Sequence, residues 1–388
     1  MPDIALVDGS WLVAHGALHA GVDVFVGYPI TPASGIFTEM IKAGVGLPTT
    51  DEITALQYLI GASLNGHKAM TATSGPGFLL MAEGVGAALA MEAPLVVALV
   101  QRLGPATGSA TVSAQGDVGL VGNIISGGFR CPVLCPSSFE ECAELTAQAV
   151  NVAEILRVPV ILLTEKDMVI GKRTVDLATL RLPPPVDRHT WEGPPEEFKT
   201  YDNWDEYDVP PFRPLGDPQV QLRITASTHD ALGNISTYSE RVRASAERLF
   251  ITRRLDVLPL PVLDADPDAD VLVISYGFTT YAARQAIRTL RAQGVPVSLL
   301  VVRTLYPLHV AEVRSACAGV RKLVIPEENA TGQFRKVLLG EGVLRNLPLE
   351  VLISLNVMGR PISPEEIVRA VLGNEPGDEV TDLEGVSP

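Results

Sequence analysis

Short apolar runs alternate with stretches of helical apolar spacing through the first 170 residues. VDVFVGY (22–28) and PLVVALV (94–100) are continuous enough to be buried strands, and Lys68–Thr73, Pro132–Leu134 and 158–163 continue the series. Between them, residues 10–20 predict a helix closed by Gly21, and residues 35–43 a second. ITALQYLIGASLN (53–65) predicts a third, with Thr49, Thr50 and Asp51 as cap candidates and Gly66 as terminator. A helix rich in small residues is expected at about 78–91 and another over 138–156. Alternating strands and helices imply an α/β fold whose parallel sheet is covered on both faces.

Residues 182–222 break the pattern with Pro183-Pro184-Pro185, Pro194-Pro195, Pro210-Pro211 and an acidic run around Asp202–Asp208. A connector this long is usually functional or interfacial. A charged helix is expected over 238–255. A second α/β unit begins near Asp270, with strands at 271–277, 295–302 and 322–326 and helices at 279–293 and 331–346. The tail from about Asn374 reads as loose. The division expected is therefore residues 1–180, an extended connector over 181–255, and a smaller C-terminal α/β domain over 256–388.

Composition narrows the function. The chain has 388 residues, enough for two or three domains of roughly 100–200 residues. Hydrophobic residues make up 47% and charged residues 19%, which suits a packed core. A net charge of -15 argues against nucleic acid or an anionic membrane as partner. No apolar run approaches the roughly 18 residues of a membrane span, and the first eleven residues lack a secretory pattern, so a cytoplasmic location is expected. Cys131, Cys135, Cys142 and Cys317 contain no Cys-x-x-Cys pair, and the six histidines form no ligand pair. The cysteines read as small core residues, and no metal site of this chain's own is expected.

Ligands of open parallel sheets bind beyond the carboxyl ends of the strands. Tyr28-Pro29-Ile30-Thr31-Pro32, Thr73-Ser74-Gly75-Pro76-Gly77 and Gln101-Arg102 all follow predicted strands, which would bring Thr31, Ser74 and Arg102 onto one edge. Each has a plainer reading. The prolines can make a mere turn, the glycines can serve tight packing, and Arg102 can be a solvated strand-end charge. Leu80 and Leu89 occupy the positions where G-x-G-x-x-G needs its third glycine, so a dinucleotide site is weakly supported.

Taken together these segments resemble the α subunits of 2-oxoacid:ferredoxin oxidoreductases. GYPITPAS (27–34), TATSGPGFLLM (71–81), QRLGPATG (101–108) and DEITALQYLIGASLNG (51–66) are similar to that family's pyrimidine-binding domain. STHDALGN (227–234), PEENATGQF (326–334) and MGRPISPEEI (358–367) extend the likeness over most of the chain. The resemblance implies a pyrimidine-binding thiamine-diphosphate fold followed by a transketolase-C-like domain. Departures from the family pattern fall at Ser10, Leu103, Ala106 and Thr228, and the loop Ser126-Gly127-Gly128-Phe129 lacks a histidine often found there. They bear on the substrate pocket more than on the cofactor.

The chemistry implied is CoA-dependent oxidative decarboxylation of a 2-oxoacid, with 2-oxoglutarate favoured and electrons passed to ferredoxin. No side chain can hold the electron pair left by decarboxylation, but thiamine diphosphate can. The resemblance gives Glu52 the hydrogen bond to the cofactor's pyrimidine, Thr31 the developing negative oxygen and Arg102 the substrate carboxylate. Tyr28, Pro29, Ile30, Thr31, Ser74, Gly75 and Pro76 would line the cofactor. Residue spacing alone leaves Glu52 open, because it is equally a helix-start acid beside Asp51.

Gly-Asp-Gly, the family's diphosphate and Mg²⁺ motif, is missing: Val118 follows Gly116-Asp117 and Pro218 follows Gly216-Asp217. A partner β subunit is therefore expected to supply Mg²⁺ binding and an iron–sulfur cluster, joined by γ and δ chains where the complex has them. Three other readings compete. One is a subunit acting on aromatic or branched 2-oxoacids. Another is a scaffold that kept the fold but not the activity. The last is a nucleotide-binding oxidoreductase acting alone.

Overall fold

The computed structural model describes residues 3–202, 209–237, 240–250 and 254–373. The acidic run 203–208, positions 238–239 and 251–253 of the charged helix, and the tail from Asn374 lie outside the described residues. In chain order the first 180 residues carry β1 (Ile4–Asp8), β2 (Val24–Gly27), β3 (Gly46–Pro48), β4 (Ala69–Thr73), β5 (Leu95–Gln101), β6 (Val133–Leu134), β7 (Pro159–Glu165) and β8 (Lys172–Asp176). The remainder carries β9 (Val262–Asp264), β10 (Val271–Ser275), β11 (Ser298–Val301), β12 (Thr304–Tyr306), β13 (Lys322–Glu327) and β14 (Val351–Asn356).

Among the described residues the strands form three sheets. The largest runs β12-β6-β7-β5-β4-β2-β3, and its pairs are parallel except the antiparallel β12–β6 edge. All seven residues of β5 and of β7 are buried, which explains their unbroken apolar sequence. The second sheet runs β14-β13-β10-β11-β9, parallel apart from β9. β1 and β8 make an antiparallel pair. Each is only five residues long, and neither is predicted from the sequence.

Most predicted helices form, but two expectations change. The residues expected as one helix over 78–91 make two, Gly75–Leu80 and Ala82–Ala90, with Met81 between them. The first starts inside the Gly-rich stretch read as a loop, with Pro76 in its first turn, where a missing N–H costs nothing. The C-terminal α/β unit is also not closed on itself, because β12 leaves it to complete the edge of the large sheet.

The proline-rich connector is fastened rather than loose. Arg188 donates to both carboxylate oxygens of Glu154 at 2.6 and 2.8 Å, and to the carbonyls of Ser63 and His67. Both members of the ion pair are buried, so losing either would strand a charge. The four cysteines are unpaired and buried, as expected of small core residues.

Candidate active site

The order of the large sheet places a switch point between β2 and β4. The chain leaves β2 toward β3 on one side, and leaves β4 toward β5 on the other. Loops beyond such strand ends part to form a crevice. Tyr28–Ala33 follows β2, Ser74 follows β4 and Arg102 follows β5, so the three segments named from sequence do share one edge.

Glu52 reaches this edge from the helix Glu52–Leu64. The neighbouring Asp51 caps that helix, its Oδ1 accepting from the Thr54 N–H at 2.7 Å. This bond, first among several, lowers the Asp51 carboxyl pKa. With the cap supplied, Glu52 turns inward and is only 5% exposed. Nothing among the described residues hydrogen-bonds its carboxylate. A Cβ on Gly77 would come within 2.4 Å of Glu52 Oε1 and 2.2 Å of Thr73 Oγ1, so the glycine leaves room for the acid beneath the turn. Ser74 Oγ is fully buried there without a partner.

Arg102 is 7% exposed, so it is not a solvated strand-end charge. Its Nη1 donates to the Thr31 carbonyl, joining the loops after β2 and β5, while its Nε is buried and unpartnered. Thr31 itself is exposed, as are Tyr28 and Pro29, whereas Ile30 and Pro76 are half-buried and Gly75 is buried.

Asp117 lies in the same cluster, and the sequence reading passes over it. In sequence Gly116-Asp117 shows only as a failed Gly-Asp-Gly; the available signal is a charged residue at the opening of the short helix Val118–Asn123. Its carboxylate lies against Gly75, where a Cβ would meet Oδ2 at 3.2 Å. Burial raises its pKa to about 6 against the opposing pull of Arg102.

The carboxyl ends of the two large sheets face one another across Gln115. Gln115 Nε2 donates to Glu165 Oε1 at 2.9 Å and to the Tyr276 carbonyl at 3.2 Å. Its Oε1 accepts from Thr279 Oγ1 and from the Glu328 N–H. Burial, with repulsion from Glu328, pushes Glu165 up to about 8; burial brings Glu328 to about 7.

A separate apolar cavity of about 540 Å³ lies between the helix Ala82–Ala90, Ile124–Phe129, Ala226–His229 and the helix Glu240–Arg248. It joins Thr228 to the Ser126–Phe129 loop, two of the departures from the family pattern, but Thr31, Glu52, Ser74 and Arg102 do not line it. Ser10 lies elsewhere, its Oγ donating to the Val169 carbonyl.

Comparison with known proteins bears on this edge. Residues 15–248 match the family described as pyruvate flavodoxin/ferredoxin oxidoreductase, thiamine diphosphate-binding, and residues 269–367 match pyruvate:ferredoxin oxidoreductase core domain II. The chain is 33% identical to the 2-oxoglutarate synthase subunit KorA of Methanothermobacter marburgensis, over 96% of this chain and 100% of that one. A solved 2-oxoglutarate:ferredoxin oxidoreductase from Magnetococcus marinus, with 2-oxoglutarate, coenzyme A and succinyl-CoA bound, superposes with a TM-score of 0.86 at 28% identity. That likeness covers 96% of this chain but 65% of the Magnetococcus chain. A split-gene transketolase superposes at a TM-score of 0.54 and 12% identity over 94% of this chain and 96% of that one, a likeness of fold alone.

Proposed function

Since the chain belongs to the pyruvate flavodoxin/ferredoxin oxidoreductase family, we propose that it is the pyrimidine-binding α subunit of a 2-oxoacid:ferredoxin oxidoreductase, with 2-oxoglutarate as substrate. One observation carries the reading: Glu52 is buried at the switch-point crevice without a protein partner, while Asp51 does the capping. A carboxylate turned into a crevice without a protein donor leaves its oxygens free for a ligand nitrogen that shares a proton with it. The unpartnered Ser74 hydroxyl, and the closeness to the turn that Gly75 and Gly77 allow the Asp117 and Glu52 carboxylates, also suit a polar ring. These residues fit the pyrimidine of thiamine diphosphate.

When bound, the cofactor would supply the carbon centre that attacks the 2-oxoacid and holds the electron pair left as CO₂ departs. Glu52 would hold the proton shared with the far pyrimidine nitrogen. Tyr28, Pro29, Ile30 and Thr31 would wall the site from the β2 side, and Ser74, Gly75 and Pro76 from the β4 side. The Thr31 hydroxyl would donate to the substrate oxygen on which negative charge develops. Arg102 would take the substrate carboxylate with its planar fork.

The diphosphate, Mg²⁺ and the iron–sulfur cluster fall to a partner β subunit in this reading, since Gly116-Asp117-Val118 lacks the second glycine of the diphosphate motif. Electrons would pass through that partner to ferredoxin, and coenzyme A would accept the acyl group. We place the assembly in the cytoplasm, in keeping with four unpaired buried cysteines. Among the described residues no helix is long and apolar enough to cross a membrane.

Purification with native partners tests the reading. The complex should reduce ferredoxin or a viologen when given a 2-oxoacid and coenzyme A, 2-oxoglutarate best among a panel. The isolated chain should do neither that nor bind thiamine diphosphate tightly by calorimetry. Turnover by the chain alone, or a complex inert toward every 2-oxoacid, would sink it.

A further inference from the structure

Asp117 sits beside Arg102 with no task in the chemistry above. Its backbone N–H donates to Gln101 Oε1 at 3.0 Å, which ties its loop to the end of β5 one residue before Arg102. Its carboxylate faces Gly75, and Glu52 lies against Gly77 two residues along the same turn. Among the described residues Arg102 is the charged group whose field acts on Asp117. Yet the two do not join. Asp117 Oδ2 and Arg102 Nε are both buried without a hydrogen-bond partner, and Arg102 Nη1 is given to the Thr31 carbonyl.

This is a poised arrangement. Two opposite charges share one pocket, and the ion pair that would offset their burial is not made. A ligand carboxylate on Arg102 would take over the positive field that now favours ionised Asp117, and would repel it as a like charge.

We propose that Asp117 takes up a proton when a carboxylate binds Arg102, so that substrate capture is coupled to proton uptake. The inference rests on Arg102 being the residue that reads the substrate carboxylate. Solvent supplies the proton, the Asp117 carboxyl keeps it while the ligand is bound, and no other bond changes. Asp117 is thus a positioning residue that acts through the field of Arg102 and leaves its fork open to the substrate. The carboxyl titrates at about 6 before binding and higher afterwards. Uptake is therefore absent well below that value, greatest between the free and bound values, and absent again above both. Within that window affinity should weaken by up to about tenfold per pH unit.

Calorimetry on the assembled enzyme tests this with N-oxalylglycine, whose amide carbonyl resists attack. Binding near neutral pH is measured in two buffers of different ionisation heat, and the difference gives the protons taken up. Wild type should approach one proton per ligand. Asp117→Asn should take up almost none, and its affinity should not weaken as pH rises. No uptake by wild type, or undiminished uptake by Asp117→Asn, overturns the proposal. Wild type alone decides if the variant fails to assemble. Arg102→Lys separates the two readings. Weakened binding there with no uptake in wild type removes Asp117 alone, whereas unchanged binding removes Arg102 as carboxylate reader and the coupling with it.

Discussion

Glu52 and Asp51 show how far a single residue could be read. Their adjacency was plain in the sequence, but either could have been the capping acid. Only the bond from Thr54 N–H to Asp51 Oδ1 releases Glu52 for other work, and that bond depends on how the chain enters the helix. Glu52→Gln should therefore leave the cap, the fold and subunit assembly intact. The amide keeps the shape and can hydrogen-bond, but it cannot stabilise a positive charge shared with the pyrimidine. Turnover in the assembled complex should be abolished while its melting temperature stays put. Near-normal activity would falsify the assignment. Asp117 is illegible for the opposite reason. A motif is defined by residues adjacent along the chain, whereas the groups that give Asp117 its setting, Gly75 and Arg102, come from other loops.

At the scale of elements, the long buried strands and amphipathic helices were legible because their patterns outlast a turn or two. β3 and β12 hold three residues each, too few to show a period. The break at Met81 was equally silent, since small residues on both sides suit a helix. The Gly75–Leu80 helix makes its own prediction. Gly77→Ala would drive a methyl into Thr73 Oγ1 and Glu52 Oε1, and overpacking of this kind costs about 1–3 kcal/mol. Gly86→Ala, in the next helix, meets nothing nearer than Ile125 Cγ2 at 3.7 Å and should gain up to about 1 kcal/mol of helix propensity. Thermal melting of the two variants should move in opposite directions, and Gly77→Ala should also weaken thiamine diphosphate binding in the complex. Parallel shifts would mean that the turn has slack that the packing does not show.

For the whole molecule, the division into two α/β halves could be read, but not how they join. Gln115, Glu165, Tyr276 and Glu328 meet from four distant stretches of chain, and no local pattern announces such a meeting. The junction carries a pH signature. Folding raises the Glu165 carboxyl from 4.5 to about 8, so the folded state keeps a proton that the unfolded chain releases. That stability is complete below 4.5 and is lost as pH rises through about 8, and Glu328, at about 7, acts in the same direction. Glu165→Gln keeps an acceptor for Gln115 and cannot ionise. Its melting temperature should fall less than that of wild type across this range and exceed it at the alkaline end; curves that run parallel would dismiss Glu165 as the titrating group. The strand lent by the C-terminal half has a further consequence, which concerns the order of synthesis. Until Thr304–Tyr306 leave the ribosome, β6 is an open edge of the large sheet, with unpaired backbone groups able to recruit another chain. A nascent or truncated product ending before that point would carry a nearly finished domain with an adhesive edge, which three residues from the other half of the chain later cover.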